Sequence, residues 1–325
     1  MLAALSGRLP SDFQRHKPVD KLDNDTVAAL ERRAFDLRAD NLTAITAAAS
    51  GHPGGTLSAM DILQTLFFVE MRHRPAEPHW PDRDRFVLSK GHAVPALYTI
   101  MAHAGYFPRE KLNTLRQLGS PLQGHPANFL MPGIEASTGS LGQGLSVALG
   151  MALASRLEGN TFRTYCVIGD GESQEGQIWE AALCAPKYKL DNLCVILDYN
   201  KGQIDGPVKE VMDLEPIADK WRAFNWNVLT IDGHDYAQIG EALEKARATK
   251  GKPTFIVAET VKGKGVSFME GKIGWHGVAP TKEQLEEAVL ELRAARAANS
   301  ASQLIQKAIA AGAVLPQWGD KGKAN

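Results

Sequence analysis

Short apolar runs that stop abruptly at glycine or polar residues constrain this chain more than anything else in it. Residues 164–168 (TYCVI), 193–198 (LCVILD) and 254–259 (TFIVAE) are almost unbroken stretches of apolar side chains. They have the length of strands, and a strand that is apolar on both sides is covered on both sides. That is the condition of a parallel sheet sandwiched between layers of helix. Residues 85–92 (RFVLSKGH) read as a strand running into a glycine turn, and 227–231 as another strand. Helical spacing fills the intervals at 93–105, 139–157, 175–185, 214–224 and 236–248. The expected fold class is α/β, a doubly wound, mostly parallel sheet with helices on both faces.

Before the first strand, helical periodicity runs from Asp23 to Ala49, capped by Asp23 or Asp25, and stops at SGHPGG (50–55). Ser58 with Asp61 reads as the opening of the next helix, through MDILQTLFFVE. The organisation expected is a loose arm at 1–22, one large unit at 23–280, and a polar helix with a tail that should fray at 281–325. With 22% charged residues and a net charge of -1, the chain lacks the basic balance of a partner for nucleic acid or anionic membrane. Cys166, Cys184 and Cys194 lie in apolar runs without a CxxC spacing, as buried, reduced thiols of a cytoplasmic protein would. No basic segment precedes the short apolar patch at the start, and no run of about 18 apolar residues follows.

In an open parallel sheet, ligands bind at the carboxyl ends of the strands. Three glycine-bearing turns fall at such ends: Lys90-Gly91-His92, Gly169-Asp170-Gly171 and Asn200-Lys201-Gly202. Gly-Asp-Gly is a good turn in its own right, since glycine tolerates positive φ and aspartate bonds its own backbone. One βαβ unit separates Asp170 from Asn200, however, so both side chains can enter one crevice. A carboxylate, an amide oxygen and a neighbouring carbonyl are hard ligands. So few protein donors, with positions left for phosphate oxygens and water, suit Mg2+. TGSLGQG (138–144) adds main-chain N–H groups at a helix start, where an anion is favoured, although close helix packing would use the same glycines. Together the turns indicate a diphosphate clamped by a metal. Glu172, Glu175 and Glu180 follow the metal turn, where carboxylates favour the helix dipole.

GDGESQEG…LDYNKGQIDG resembles the thiamin-diphosphate motif. SGHPGG, DRDRFVLSKGHAVPALY, RQLGSPLQGHP, STGSLGQG and IDGHD resemble transketolases in order and spacing, over about residues 25 to 280. The resemblance implies the thiamin-diphosphate-binding fold and thiamin diphosphate as cofactor. It makes Asp170, Asn200 and the main-chain oxygen of Gly202 ligands of Mg2+ or Ca2+. It places Gly139, Ser140 (where many members carry proline), Leu141, Gly169, Gly171 and Glu172 along the cofactor. His92 would touch the diphosphate side and the substrate, and His125 the donor sugar's terminal hydroxyl. His52 and His276 would handle the proton of the hydroxyl beside the bond that changes, with His276 also against the cofactor. Glu175 and Glu180 would meet their counterparts across a subunit interface and relay protons there. His16, His73, His79 and His103 match no motif and are expected to be structural or exposed. His234 lies in a recurring loop without evident chemistry.

A transketolase chain is normally about twice as long, and its second half grips the aminopyrimidine ring. The resemblance therefore implies the N-terminal subunit of a split transketolase. A C-terminal subunit carrying the pyrimidine-binding domain would complete it, as an α2β2 assembly acting on sugars or sugar phosphates. Another reading is the diphosphate-binding subunit of a 2-oxo acid dehydrogenase or decarboxylase, which shares the GDG-to-Asn pattern but lacks the loop histidines. A third is a catalytically silent partner of a full-length transketolase.

Overall fold

The structure, a computed structural model, describes residues 22–310. His16, the tail and all but the last residue of the expected arm lie outside these residues. In chain order the elements are α1 (Asn24–Ala47), α2 (Pro53–Thr65), β1 (Arg85–Leu88), α3 (Val94–Ala104), α4 (Gln143–Leu157), β2 (Thr164–Gly169), α5 (Gly176–Lys187) and β3 (Leu193–Tyr199). A small hairpin, β4 (Gly202–Gln203) and β5 (Gly206–Pro207), follows, then α6 (Val208–Val211), α7 (Ile217–Ala223), β6 (Asn227–Asp232), α8 (Tyr236–Ala248), β7 (Thr254–Glu259) and α9 (Lys282–Ala310).

The five long strands form one sheet in the order β1-β2-β3-β7-β6, with every pairing parallel. Alternation along each strand sorts the side chains between two cores. Phe86, Tyr165, Val167, Cys194, Ile196 and Ile256 face the layer of α2, α3 and α8. Val87, Cys166, Ile168, Val195, Leu197 and Phe255 face α4, α5 and α7. There Trp221 stacks on Phe255 with ring centroids 3.8 Å apart. This is the doubly wound sheet that the apolar runs imply. At one end Ala288 and Leu292 of α9 pack with Leu42 and Leu57.

Three helix starts differ from the sequence reading. α2 begins at Pro53, whose fixed φ and missing N–H suit the first helical position. Ser58 and Asp61 therefore lie inside the helix and are buried. α4 begins at Gln143 rather than 139, because Gly139 (φ 146°) and Gly142 (φ 85°) hold the preceding residues in a turn. α7 starts only after Pro216, later than the expected 214. Asp23, not Asp25, caps α1, accepting from the Thr26 N–H at 2.7 Å. Cys166 and Cys194 are buried free thiols, whereas Cys184 is only half-buried, packed against the core beneath α5. Among the described residues no helix is long and apolar enough to cross a membrane.

Candidate active site

Four neighbouring strands each deliver a polar side chain to the carboxyl edge of the sheet: Lys90 after β1, Asp170 after β2, Asn200 after β3 and Lys262 after β7. Asp170 ties two of these tips together. Its Oδ1 accepts from the Gly171 N–H at 2.8 Å and its Oδ2 from the Lys201 N–H across the sheet at 2.5 Å. Lys201, at φ 64°, turns the chain so that Asn200 Oδ1 lies 3.2 Å from the Gly202 N–H. The two turns that carry Asp170, Asn200 and Gly202 are thereby tied side by side. Asp170 is only 3% exposed, and no lysine or arginine pairs with it among the described residues. Burial, then the nearby Asp198, push its carboxyl up to about 6.

Asp198, fully buried, holds the scaffold behind this pair. It accepts from Ser58 Oγ at 2.6 Å, from Asn200 Nδ2 at 3.3 Å, and from Lys90 and Thr260. Despite its burial, the Lys90 ammonium holds its carboxyl below the usual range. Lys90 thus has an acid partner and Lys262 has none among the described residues. The stem of Lys262 fills space that a Cβ at Gly54 or Gly202 would enter, each at 2.8 Å. Its Nζ stands 3.1 Å from His276 Nδ1, and burial followed by the charge of Lys90 lowers its pKa to about 8.

Three histidines from different loops form a triangle over these groups. Ring centroids are 5.0 Å apart for His52 and His92, 5.6 Å for His52 and His276, and 5.5 Å for His92 and His276. Burial and the surrounding cations keep all three neutral: His52 falls to about 4, His276 to about 3, and His92 well below its ordinary value. His52 Nδ1 is buried without a partner. His125 is exposed and packs against Gly139, where a Cβ would come within 3.0 Å of its ring.

The turn at 138–142 closes the cleft. Thr138 Oγ1 donates to the Leu88 carbonyl at 2.6 Å, and a side chain at Gly91 would strike the Gly139 nitrogen at 2.8 Å. Ser140 is exposed and Leu141 half-buried on this turn, while Gly169 and Gly171 flank Asp170. Glu172, expected along the cofactor, has both oxygens engaged: it accepts from Ser89 Oγ and from the Gly142 and Gly169 N–H groups at 2.9 and 3.0 Å. It braces the turn from behind. Glu175, just before α5 and against Gly142, and Glu180, on α5, are both exposed. His73 bonds the Phe67 carbonyl and Tyr106, His103 pairs with Asp40, and His79 is exposed, as structural or surface residues should be.

Sequence reasoning missed Lys90, Lys262 and Asp198 as site residues. The signal for the two lysines was there: each directly precedes a glycine just beyond a strand, the pattern that marked the other tips. Buried cations, neutral imidazoles, approachable N–H groups and one unpaired acid make a cleft whose chemistry suits a phosphate-bearing cofactor. The single acid fits a metal that takes further oxygens from its phosphate partner.

Comparison with known proteins gives the class its family. The family described as "Transketolase, thiamine diphosphate binding domain" matches residues 31–307. The 6-deoxy-6-sulfo-D-fructose transketolase subunit SqwG of Clostridium sp. (strain MSTE9) is 49% identical over 263 residues, 81% of this chain and 96% of that protein. An apulose-4-phosphate transketolase subunit of Phocaeicola vulgatus is 45% identical over 266 residues, 82% of this chain and 94% of that one. Among solved structures, the transketolase of Campylobacter jejuni superimposes with a TM-score of 0.77 at 36% identity, over 81% of this chain but only 42% of that one. The chain belongs to the transketolase N-terminal, thiamine diphosphate binding family.

Proposed function

We propose that this chain is the N-terminal subunit of a two-chain transketolase, transferring a two-carbon ketol unit from a ketose to an aldose with thiamin diphosphate and a divalent metal. The observation that carries this reading is the triangle of neutral histidines, joined through Lys262 to the strand tips that bear Asp170 and Asn200. A diphosphate site alone does not need those imidazoles.

When bound, thiamin diphosphate supplies the carbon nucleophile and the electron sink for cleaving and making the carbon–carbon bond. Asp170, Asn200 Oδ1 and the Gly202 carbonyl would hold Mg2+ or Ca2+. The N–H groups of the 138–142 turn and the ammonium of Lys262 would face the phosphates. His52 and His276, neutral above about pH 5, are equipped to take a substrate hydroxyl proton and return it. His92 would orient the substrate near the phosphates, and His125, at the mouth, would bind the donor's terminal hydroxyl. Keeping the imidazoles neutral beside two lysines makes them acceptors, the state a general base needs at its start.

Two observations support a separate C-terminal subunit carrying the pyrimidine-binding domain. The close relatives are named as subunits, while the solved transketolase is more than twice the matched length. The α4–α5 face exposes Val147 (40%) and Leu183 (66%) beside Glu175 and Glu180, and a Cβ at Gly150 or Gly176 would meet only open space. That face suits a partner in an α2β2 assembly, in which the two glutamates would approach their counterparts. A cytoplasmic location belongs to the same proposal. The names of the relatives, a sulfo sugar and a sugar phosphate, favour anionic sugars as substrates.

The test is turnover of ketose and aldose phosphates by the chain with thiamin diphosphate and Mg2+, first by itself and then with its partner subunit. The reading expects activity only with the partner. Robust activity of the chain by itself would overturn the two-chain assignment. Activity of the pair that survives substitution of His276 and His125 would make the chain a silent partner.

A further inference from the structure

The loop after β6 carries a histidine that the proposed chemistry leaves unused. His234 lies between Asp61 of α2 and the backbone of the loop that follows β7. Its Nε2 accepts from the Val261 N–H at 2.9 Å, so Nδ1 bears the proton and donates to Asp61 Oδ2 at 2.8 Å. Asp61, inside α2, also accepts from Arg38 at 2.6 Å and from the Tyr236 hydroxyl at 2.6 Å. Arg38 turns its Nε to the Lys264 carbonyl at 3.0 Å. The backbone is thus fastened at Val261 by His234 and at Lys264 by Arg38, and both fasteners are locked to one buried carboxylate. Lys262 sits between the two points.

This bracket matters because it adds side-chain ties on both sides of Lys262 to the backbone bond that its own carbonyl accepts from the Gly271 N–H at 2.8 Å. Its ammonium has no acid partner among the described residues, and its stem lies in a slot where Gly54 and Gly202 offer only backbone. The Gly54 carbonyl accepts from the Gly263 N–H at 3.0 Å, which holds the loop against the start of α2. From this geometry we infer that His234 is a positioning residue. With Asp61 and Arg38 it sets the 261–264 backbone so that the Lys262 ammonium stands beside His276 and over the anion site. The inference rests on the diphosphate reading of the cleft. It assigns the DGH loop a purpose: a clamp on the neighbouring strand tip, reaching the site through one lysine.

The experiment uses the full chain in four forms: wild type, His234→Phe, Lys262→Met and the double variant. Each is titrated with inorganic pyrophosphate and Mg2+ by calorimetry, and amide exchange is followed at 261–264. Phenylalanine keeps the ring volume and loses both hydrogen bonds. Expected is a loss of affinity of about tenfold for His234→Phe, the size usual for groups that orient a ligand-binding side chain. In the Lys262→Met background the same change should add less than about twofold. Exchange at Val261 should rise in His234→Phe, while His234→Gln, which can still accept and donate, should restore most of both effects. Independent, multiplying effects of the two substitutions would overturn the inference, as would unchanged exchange at 261–264. If the wild-type chain binds no magnesium pyrophosphate, the diphosphate reading fails, and the exchange measurement still decides the clamp. Should His234→Phe not fold, His234→Gln against Arg38→Lys decides. Protection of the Val261 amide should survive the first far better than protection of the Lys264 end survives the second, and equal loss everywhere contradicts separate fasteners.

Discussion

Asp61 and Asp170 are both aspartates and both 3% exposed, yet they are in opposite states. Asp61 is met by the Arg38 guanidinium, His234 and Tyr236, and in spite of burial Arg38 and His234 hold its carboxyl far below the usual range. Asp170 is met by two backbone N–H groups and faces Asp198, which leaves its carboxyl at about 6. A buried acid with its charge compensated is part of the framework. One whose compensation is missing, at a strand tip beside an amide oxygen, is the kind of group that the proposed cation would complete. The contrast teaches that burial alone does not separate structural from functional carboxylates. The inventory of partners does.

The largest effect should come from removing the uncompensated acid. Asp170→Asn is expected to cut Mg2+-supported thiamin diphosphate binding, and turnover with the partner subunit, by more than about 100-fold, beyond what outer groups contribute. The melting temperature of the ligand-free chain should hold or rise, since a buried, unpaired carboxylate is removed; a large fall would put Asp170 in the same class as Asp61. Next come the imidazoles. His276→Phe or His125→Phe should lower kcat by roughly 100-fold or more, a far larger loss than either causes in cofactor affinity, checked by pairing steady-state kinetics with cofactor titration. Equal loss of both would make these residues structural.

Asp61→Asn should instead act on the fold. It strands the Arg38 guanidinium in the interior and is expected to destabilise by about 3–5 kcal/mol in denaturant unfolding. A neutral outcome would erase the contrast on which the comparison depends. The smallest effect is on pH. His52, His92 and His276 have folded pKa values depressed below the roughly 6.5 of an unfolded chain. The unfolded state then takes up protons that the folded state refuses. Stability should be full above about pH 7 and fall progressively toward pH 4. His276→Asn should flatten that slope, and an unchanged slope would show that the acid limb comes from other groups.

The sheet was legible because strands buried on both faces leave continuous apolar runs, and its tips because glycine marks where the chain turns sharply. Asp170, Asn200 and the loop histidines were legible from motif and spacing together. The buried lysines were legible only in part: each precedes a glycine just past a strand, but packing alone takes Lys90 and Lys262 out of water. Asp61 reads in sequence as a helix opener, since Ser-x-x-Asp is a good N-terminal pattern. Pro53 five residues before Ser58 prevails, and Asp61 becomes an interior ion-pair partner. Asp198 was hidden at the end of an apolar strand, where only the structure shows four groups converging on it.

The measurement that goes most directly to the central claim is the dependence of thiamin diphosphate affinity on Mg2+, in wild type and in Asp170→Asn, each with the partner subunit. If Asp170 and Asn200 clamp the diphosphate through a cation, wild-type affinity climbs steeply with Mg2+ and the variant's becomes weak and indifferent to the metal. An Asp170→Asn protein that binds the cofactor with the wild-type Mg2+ dependence would contradict the account.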